Sequence, residues 1–153
     1  MINQQQLKKF LREAKINTYA KAGEGGEQIL KDGGKKFEYK KKKLHYCDTY
    51  FGSSTFIGEE IIFYQHKPIW GMNYHGSAFS KSASNKEVYL FLKKALQKVT
   101  KEKPYRGPSR FKYKHFRYIN KVNGSVKKFW GEEKIFYKKE LVYVLNYHGG
   151  LIN

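Results

Sequence analysis

Two segments of the chain place apolar residues at the spacing of an amphipathic helix. The first contains Leu7, Phe10, Leu11 and Ala14, and the second contains Val88, Phe91, Leu92, Ala95 and Val99. Ser84 stands just before the second segment and Glu87 follows it, which is the pattern of a capping box. Lys103-Pro104 predicts the end of that helix. The pattern therefore predicts two helices, one near the start of the chain and one in the middle.

The other apolar stretches are rich in Tyr, Phe, Ile and Val and are bounded by turn residues, as β-strands are. The predicted strands lie near residues 44–51, 56–64, 69–75, 111–121, 126–137 and 141–148. Asn123-Gly124 predicts a tight hairpin between two of them. The glycine-rich stretch 22–34 has few apolar residues and predicts a long loop.

One stretch of sequence occurs twice. Of the 21 positions from Phe56 to Gly76, 11 are identical to the residues 73 positions later, which run from Phe129 to Gly149. Ordinary composition would give roughly one or two identities by chance. The sequence predicts one α+β domain over residues 1–153, built of two repeats at about 1–76 and 77–153. The expected order is α-βββ-α-βββ, an antiparallel sheet with two helices packed on one face.

Composition agrees with a folded domain. The 153 residues are 40% apolar and 17% aromatic, which is enough for a core. The only cysteine, Cys47, predicts a small core hydrophobe, with neither an internal disulfide nor a thiolate zinc site. No apolar run is long enough to span a membrane, and residues 1–15 do not resemble a signal peptide. We expect a soluble cytoplasmic protein with no membrane partner.

The net charge is strongly positive, with 31 basic against 13 acidic residues, a formal +18. Only Arg12, Arg106, Arg110 and Arg117 are arginines. Charge alone leaves two interpretations open: a solvated lysine-rich surface, or non-specific nucleic-acid binding through that surface. The arginine shortage argues against a dedicated phosphate reader, because arginine pairs with phosphate through two donors.

Two Gly-Glu-Glu motifs are the first candidate for function. Side chains alternate along a strand, so Glu60 and Glu59 face opposite sides, and Glu133 and Glu132 repeat that arrangement. One carboxylate of each pair must then face a surface rich in aromatic residues, where an unpaired charge is costly. Such a carboxylate either recognises a cation, an amine or a hydrogen-bond donor, or forms an internal salt bridge to a lysine, or is a charge at a strand edge.

The repeated Asn-Tyr-His-Gly run is the second candidate. Asn73 and His75 share one strand face, and Asn146 and His148 share the corresponding one. Histidine with glutamate can bind a metal or move protons, but a His-Gly at a strand end is also an ordinary hydrogen-bonded terminus. No dense ligand cluster or helical metal motif occurs, and we expect no metal and no cofactor. Trp70 and Trp130 either stack on a flat ligand or pack in the core.

Several motifs resemble a bacterial family known as domain of unknown function 5680. They are Asp48-Thr49-Tyr50-Phe51-Gly52, Phe56-Ile57-Gly58-Glu59-Glu60, Pro68-Ile69-Trp70-Gly71-Met72-Asn73-Tyr74, Arg106-Gly107-Pro108 and His148-Gly149-Gly150-Leu151. Members of that family occur alone and behind helix-turn-helix repressor domains, so the resemblance implies a regulatory context. The architecture is also similar to the duplicated effector domains of multidrug-sensing transcription factors. Those hold a cationic or apolar ligand between two halves, beside a buried glutamate.

The leading interpretation is a non-enzymatic ligand-binding or regulatory domain. Its predicted cleft lies between the halves and is lined by Glu59, Glu60, Trp70, Asn73, His75, Trp130, Glu132, Glu133, Asn146 and His148. The expected ligand is a small cationic or aromatic molecule, and nucleic-acid binding is the alternative. No phosphate-binding loop, nucleophile elbow or metalloprotease motif is present, and we predict no catalytic residue.

Overall fold

The computed structural model describes residues 2–22 and 26–153. The helices are α1 (Gln4–Asn17), the single turn α2 (Tyr19–Ala22) and α3 (Asn85–Leu96). The strands are β1 (Gln28–Ile29), β2 (Lys35–Lys41), β3 (Leu44–Gly52), β4 (Thr55–Tyr64), β5 (Lys67–Ala78), β6 (Arg110–Tyr113), β7 (Phe116–Ser125), β8 (Lys128–Tyr137) and β9 (Glu140–Leu151). The fold is therefore α+β, and mostly antiparallel sheet.

All nine strands of the described residues form one sheet in the order β1-β2-β3-β4-β5-β9-β8-β7-β6. Every neighbouring pair is antiparallel. The two long strands β5 and β9 meet at the centre, where Tyr74 lies opposite Tyr147. The register shifts between Ile62 and Phe63 in one half and between Ile135 and Phe136 in the other, positions that are 73 residues apart in sequence.

Side chains alternate between a buried face and an exposed face of this sheet. The buried face carries residues such as Tyr46, Ile62, Trp70 and Leu145, which pack in the same core as Leu11 of α1 and Leu92 of α3. Phe91 of α3 stacks on Phe111 and Phe116, with ring centroids 5.7 and 5.0 Å apart. The predicted helical positions that lie in α1 and α3 are all buried: Leu7, Phe10, Leu11, Ala14, Val88, Phe91, Leu92 and Ala95. Val99 is buried too, but it lies beyond α3, which ends at Leu96 and not at the predicted Lys103-Pro104.

Both long helices begin at a capping box. The Ser84 side chain accepts from the Glu87 backbone N–H at 3.2 Å, and the Glu87 carboxylate accepts from the Ser84 backbone N–H at 2.9 Å. This confirms the predicted start of the second helix. Asn3 and Gln6 exchange the same two bonds at the start of α1, each at 2.9 Å.

The prediction of six strands was wrong. Strand β2 was missed because lysines occupy most of it and leave only Phe37 and Tyr39 as apolar residues. The predicted strand 111–121 is broken by a tight turn, in which Lys114 has a φ of 53°. The predicted loop 22–34 contains β1, which pairs with β2, and its residues 23–25 lie outside the described part of the chain.

The hairpin predicted at Asn123-Gly124 is displaced along the chain. Ser125 pairs with Lys128, so the chain reverses at Val126-Lys127. Gly124 lies within β7 with a φ of 89°, a value that favours glycine. Val126, at the observed reversal, is completely buried in the core.

Gly131 allows β8 to pass under the ring of Tyr147, which lies opposite it in β9. A Cβ at this position would overlap that ring and lie 2.7 Å from the Lys121 backbone carbonyl. We expect Gly131→Ala to lower the free energy of unfolding by about 1–3 kcal/mol, the usual range for overpacking a core. Urea denaturation measures this change.

Gly71→Ala is the matched control. A Cβ there would approach first the Ile61 Cδ1 atom at 2.9 Å, which is the flexible end of a side chain. We expect a change below about 0.5 kcal/mol, as for most surface substitutions. Equal effects of the two substitutions would contradict the assigned packing of Gly131 under Tyr147.

Candidate functional site

Glu60 lies on the buried face of the sheet, where only 1% of its surface is exposed. Its carboxylate accepts two hydrogen bonds from the Lys15 ammonium of α1, at 2.7 and 2.5 Å. Burial lowers the pKa of Lys15, and attraction to Glu60 offsets only part of that effect. The sequence interpretation of an internal salt bridge to a lysine therefore describes this residue.

Glu133 occupies the corresponding position in β8 and is fully buried. Its Oε1 accepts from Arg106 at 2.6 Å and from the Tyr143 hydroxyl at 2.8 Å, and its Oε2 accepts from the Tyr118 hydroxyl at 2.5 Å. Burial raises the pKa of both tyrosines, as does the nearby Glu133 charge, so both hydroxyls remain neutral donors. Arg106, Tyr118 and Tyr143 thus surround the Glu133 carboxylate with three hydrogen-bond donors.

A second acid, Asp48, lies directly opposite Glu60 in the β3–β4 ladder. Its carboxylate accepts from the Tyr74 hydroxyl at 2.6 Å. The corresponding position opposite Glu133 is Asn120, whose side-chain oxygen accepts from the Tyr147 hydroxyl at 2.8 Å. The two buried polar clusters, around Glu60 and around Glu133, therefore have the same arrangement, but Asp48 stands in the first where Asn120 stands in the second.

Burial away from water raises the pKa of Asp48 to about 7, and the neighbouring Glu60 charge raises it as well. The Tyr74 hydrogen bond and the charges of Lys15 and Arg106 act in the opposite direction. Among the described residues no cationic nitrogen lies within 4 Å of Asp48, whereas Glu60 and Glu133 each have an ion-pair partner. Asp48 is thus the buried acid of this region whose charge lacks a direct counter-ion.

A cavity of about 60 Å³ lies beside these groups. Its charged lining is Lys15, Asp48, Glu60 and Arg106, and its aromatic lining is Tyr19, Tyr46, Tyr50, Phe56, Tyr74 and Tyr89. The Arg106 Nε atom is buried and has no hydrogen-bond partner in the part of the chain that the structure describes. The cavity therefore combines aromatic walls with an acid and an unused donor.

Trp70 lies on the same buried face as Glu60 and Glu133 but does not line the cavity. Its Nε1 donates to the Val126 carbonyl at 3.2 Å, and its ring stacks on Phe129 at 5.6 Å. The core-packing interpretation of Trp70 therefore fits its surroundings.

The other seven predicted site residues lie on the exposed face. Asn73 is opposite His148 and His75 is opposite Asn146 in the central β5–β9 pair. Outside them, Glu59 faces Asn73, Glu132 faces Asn146, and Trp130 faces His148. Because the sheet lies between its two faces, these seven side chains do not share a cleft with Glu60, Glu133 and Trp70. Alternation along the strands separates Glu59 from Glu60 and Glu132 from Glu133.

Sequence reasoning missed three charged residues of the buried cluster: Lys15, Asp48 and Arg106. Lys15 had a signal, because it lies four residues after Leu11 on the apolar side of α1. Arg106 had a weaker signal, as the arginine of the Arg106-Gly107-Pro108 motif, and it binds the Glu133 carboxylate. Asp48 had no such signal, because the alternation of side chains along β3 does not by itself show which face of the strand is buried.

The expectation that Cys47 is a core residue was wrong. Cys47 is half-buried on the exposed face, because its strand neighbours Tyr46 and Asp48 point to the buried one. Its Sγ lies 3.2 Å from His45 Nε2. Burial raises the pKa of the Cys47 thiol to about 11. The thiol is therefore not activated as a nucleophile.

Exposed lysines are found on the helices as well as on the strands. Lys9 and Lys94 lie on helices α1 and α3, and Lys40, Lys121 and Lys128 lie on strands. A basic stripe on one face would favour nucleic acid over a solvated surface. Nucleic-acid binding stays a prediction.

None of the described helices is both long and apolar enough to cross a lipid bilayer.

Comparison with protein-family models matches residues 48–152 to a domain of unknown function, DUF5680. The matched region begins at Asp48 and includes the strands that carry Glu60 and Glu133. Neither the curated proteins nor the solved structures contain a match to this chain.

Proposed function

The chain belongs to the DUF5680 family, and we propose that it is a non-enzymatic, regulatory ligand-binding domain. In this proposal an internal duplication places α1 and α3 together on the buried face of the sheet. The ligand is a small cationic aromatic molecule that enters the cavity beside Asp48. The observation that carries the proposal is the buried Asp48 carboxyl, which borders the cavity and has no ion-pair partner among the described residues.

The duplication is supported by corresponding features of the two halves. Asp48 opposes Glu60 as Asn120 opposes Glu133, and the register shifts occur at matching sites in β4 and β8. In the second half, Asn120 donates to the Gly107 carbonyl at 2.9 Å, so its side chain is bonded at both ends. Asp48 has a hydrogen bond to Tyr74 and borders the cavity. The acid therefore marks the half in which a ligand is held.

Charge balance favours a cationic ligand. Lys15 is neutralised by Glu60 and Arg106 by Glu133, so the remaining charge at the cavity is that of Asp48. Aromatic rings around it add cation–π attraction for an amine or amidine.

Size limits the ligand to about one ring. A water molecule needs about 10–15 Å³ of such volume. The 60 Å³ cavity therefore accommodates the cationic group of a ligand but not a whole ring. The half-buried Tyr50 and Tyr89 and the exposed Ser53 border the cavity, so in this proposal the ring lies between them, towards the surface. A single aromatic ring whose cationic substituent enters the cavity meets this limit, and benzamidine is the simplest probe.

Benzamidine binding to the full chain at pH 8 tests the proposal by calorimetry and by thermal unfolding. We expect the unfolding midpoint to rise with benzamidine concentration, because a ligand that binds the folded state stabilises it. Asp48→Asn should abolish the rise, since it keeps the acceptor for Tyr74 but removes the charge. Glu59→Gln is the matched control, because this carboxylate is the sequence neighbour of Glu60 on the exposed face.

The pH dependence of binding provides a second readout. The pKa of Asp48 is about 7, so the carboxylate forms as pH rises through neutrality. Affinity for benzamidine should then increase about tenfold between pH 6 and pH 8. An equal rise in melting temperature for wild type and Asp48→Asn, or no binding by benzamidine and related single-ring amines, would overturn the proposal.

A further inference from the structure

Three metal-ligating side chains meet on the exposed face of the sheet, away from the cavity. Glu38 of β2 lies directly opposite Cys47 of β3, and His45 precedes Cys47 by two residues on the same face. His45 Nε2 lies 2.9 Å from Glu38 Oε1 and 3.2 Å from Cys47 Sγ, and that sulfur lies 3.6 Å from Glu38 Oε1. The three ligand atoms all lie within 4.8 Å of one another.

The contacts do not have the connectivity of a catalytic relay. In a nucleophile–histidine–acid triad, the nucleophile and the acid bind different ring nitrogens of the histidine. Here the thiol and the carboxylate both approach the same nitrogen, Nε2 of His45. The three groups therefore converge on one point in space instead of forming a chain.

We propose that Glu38, His45 and Cys47 form a binding site for Zn²⁺ or a similar divalent transition metal. Zinc binds nitrogen at about 2.0–2.1 Å, sulfur at about 2.3 Å and carboxylate oxygen at about 2.0–2.2 Å in tetrahedral geometry. Those lengths place the ligand atoms about 3.4–3.6 Å apart. The separations of 2.9, 3.2 and 3.6 Å are close to this, so small side-chain rotations suffice.

The backbone of the site is rigid and needs no rearrangement. All three ligands stand on paired strands of one ladder, and the His45 ring also packs on Phe63 at 5.8 Å. Three protein ligands leave the fourth tetrahedral position directed to solvent, as in zinc sites that bind water or a further ligand. A chain with one cysteine cannot build a multi-thiolate site, but mixed nitrogen, oxygen and sulfur ligands avoid that requirement.

Lys36 is the competitor for the metal. Its Nζ lies 2.9 Å from Glu38 Oε1, and this side chain is 26% exposed, so it can turn into solvent when a metal binds. Lys40 lines the same groove as His45 and Cys47 and adds positive charge. These lysines repel a divalent cation and lower its affinity. Removing Lys36 should therefore strengthen binding.

Titration of the untagged 153-residue chain with Co²⁺ and Zn²⁺ tests the site. Cobalt reports thiolate coordination directly through its absorption, and zinc affinity is measured by competition with a chromophoric chelator. We expect one metal per chain with a thiolate–cobalt absorption band. Cys47→Ser and His45→Ala should each weaken zinc binding by at least tenfold, because even residues that only support ligands cost about 10–100-fold. Lys36→Met should tighten it.

His75→Ala is the matched control, since His75 is an exposed histidine on the same face in β5. It should leave metal affinity unchanged, and circular dichroism should show that all variants keep the native fold. Absence of a thiolate–cobalt band, or zinc affinity that is unchanged by both Cys47→Ser and His45→Ala, would overturn the site. The site and the cavity lie on opposite faces, so either result leaves the benzamidine test independent.

Discussion

Replacing Arg106 with methionine will lower the free energy of unfolding by about 3–5 kcal/mol, the usual cost of leaving a buried charge without its partner. The guanidinium binds Glu133 at 2.6 Å, and Glu133 is fully buried. Burial alone would lower the pKa of Arg106, but the charge and hydrogen bond of Glu133, together with Tyr143 and Tyr118, raise that pKa well above its ordinary value. The guanidinium is therefore charged throughout the working pH range. Urea denaturation at pH 7 measures the loss.

The companion variant is Arg106→Met combined with Glu133→Gln. A neutral amide can still bond to the hydroxyls of Tyr118 and Tyr143, so the double variant should recover most of the lost stability.

Lys134→Met is the control for an exposed ion pair. Lys134 lies 2.6 Å from Glu132. Both residues lie on the face of β8 opposite to Glu133, and both side chains are at least about one-third exposed. That change should cost no more than about 1 kcal/mol. Similar small losses for Arg106→Met and Lys134→Met would contradict the burial of the Arg106 pair.

Replacing Asp48 with asparagine will stabilise the protein at pH 8 and remove part of its pH dependence. The pKa of Asp48 in the folded state is about 7, against an ordinary value of 3.8 for an aspartate. The folded state therefore holds a proton that the unfolded chain releases, and wild-type stability falls as pH rises from about 4 to about 7. Because a pKa difference of one corresponds to about 1.4 kcal/mol, the gain at pH 8 amounts to a few kcal/mol at most.

The difference between the wild-type and Asp48→Asn stability curves isolates this group. Other titrating residues, among them Glu38 with a pKa lowered to about 2 by Lys36, contribute to both curves and cancel. The groups that face Asp48 are Glu60, Tyr74, Lys15 and Arg106. Asparagine already occupies the corresponding position 120, where it accepts from Tyr147, so the substitution suits this backbone. Parallel curves between pH 4 and pH 8 would show that Asp48 titrates normally.

The helices and most strands were predictable because their signals are local. A helix needs apolar residues every third or fourth position, and Leu7, Leu11, Val88 and Leu92 meet that need without reference to any other segment. The Ser84 capping box is equally local. The short strand β1 and the lysine-rich β2 were not predicted, because what makes them strands is their pairing with neighbouring strands. The periodicity of one segment gives no information about such pairing.

The candidate site was only half predictable. Strand parity separated Glu60 from Glu59 and assigned Asn73 and His75 to one face, and the structure agrees with both assignments. Alternation along one strand does not show which of its faces lies on the same side of the sheet as a given face of another strand. Glu59 and His148 lie on the exposed face, while Glu60 and Trp70 lie on the buried one, so the single cleft drawn from the sequence divides into two surfaces.

The sequence by itself determined which residues repeat, which helices are amphipathic and that each Gly-Glu-Glu must bury one carboxylate. Tertiary structure decided what each carboxylate meets. Lys15 reaches Glu60 from a helix 45 residues away, and Arg106 reaches Glu133 from 27 residues away. The approach of Glu38 to His45 and Cys47 likewise depends on the β2–β3 register. A buried charge selects its partner by distance and desolvation in three dimensions, and neither quantity is encoded in local residue order.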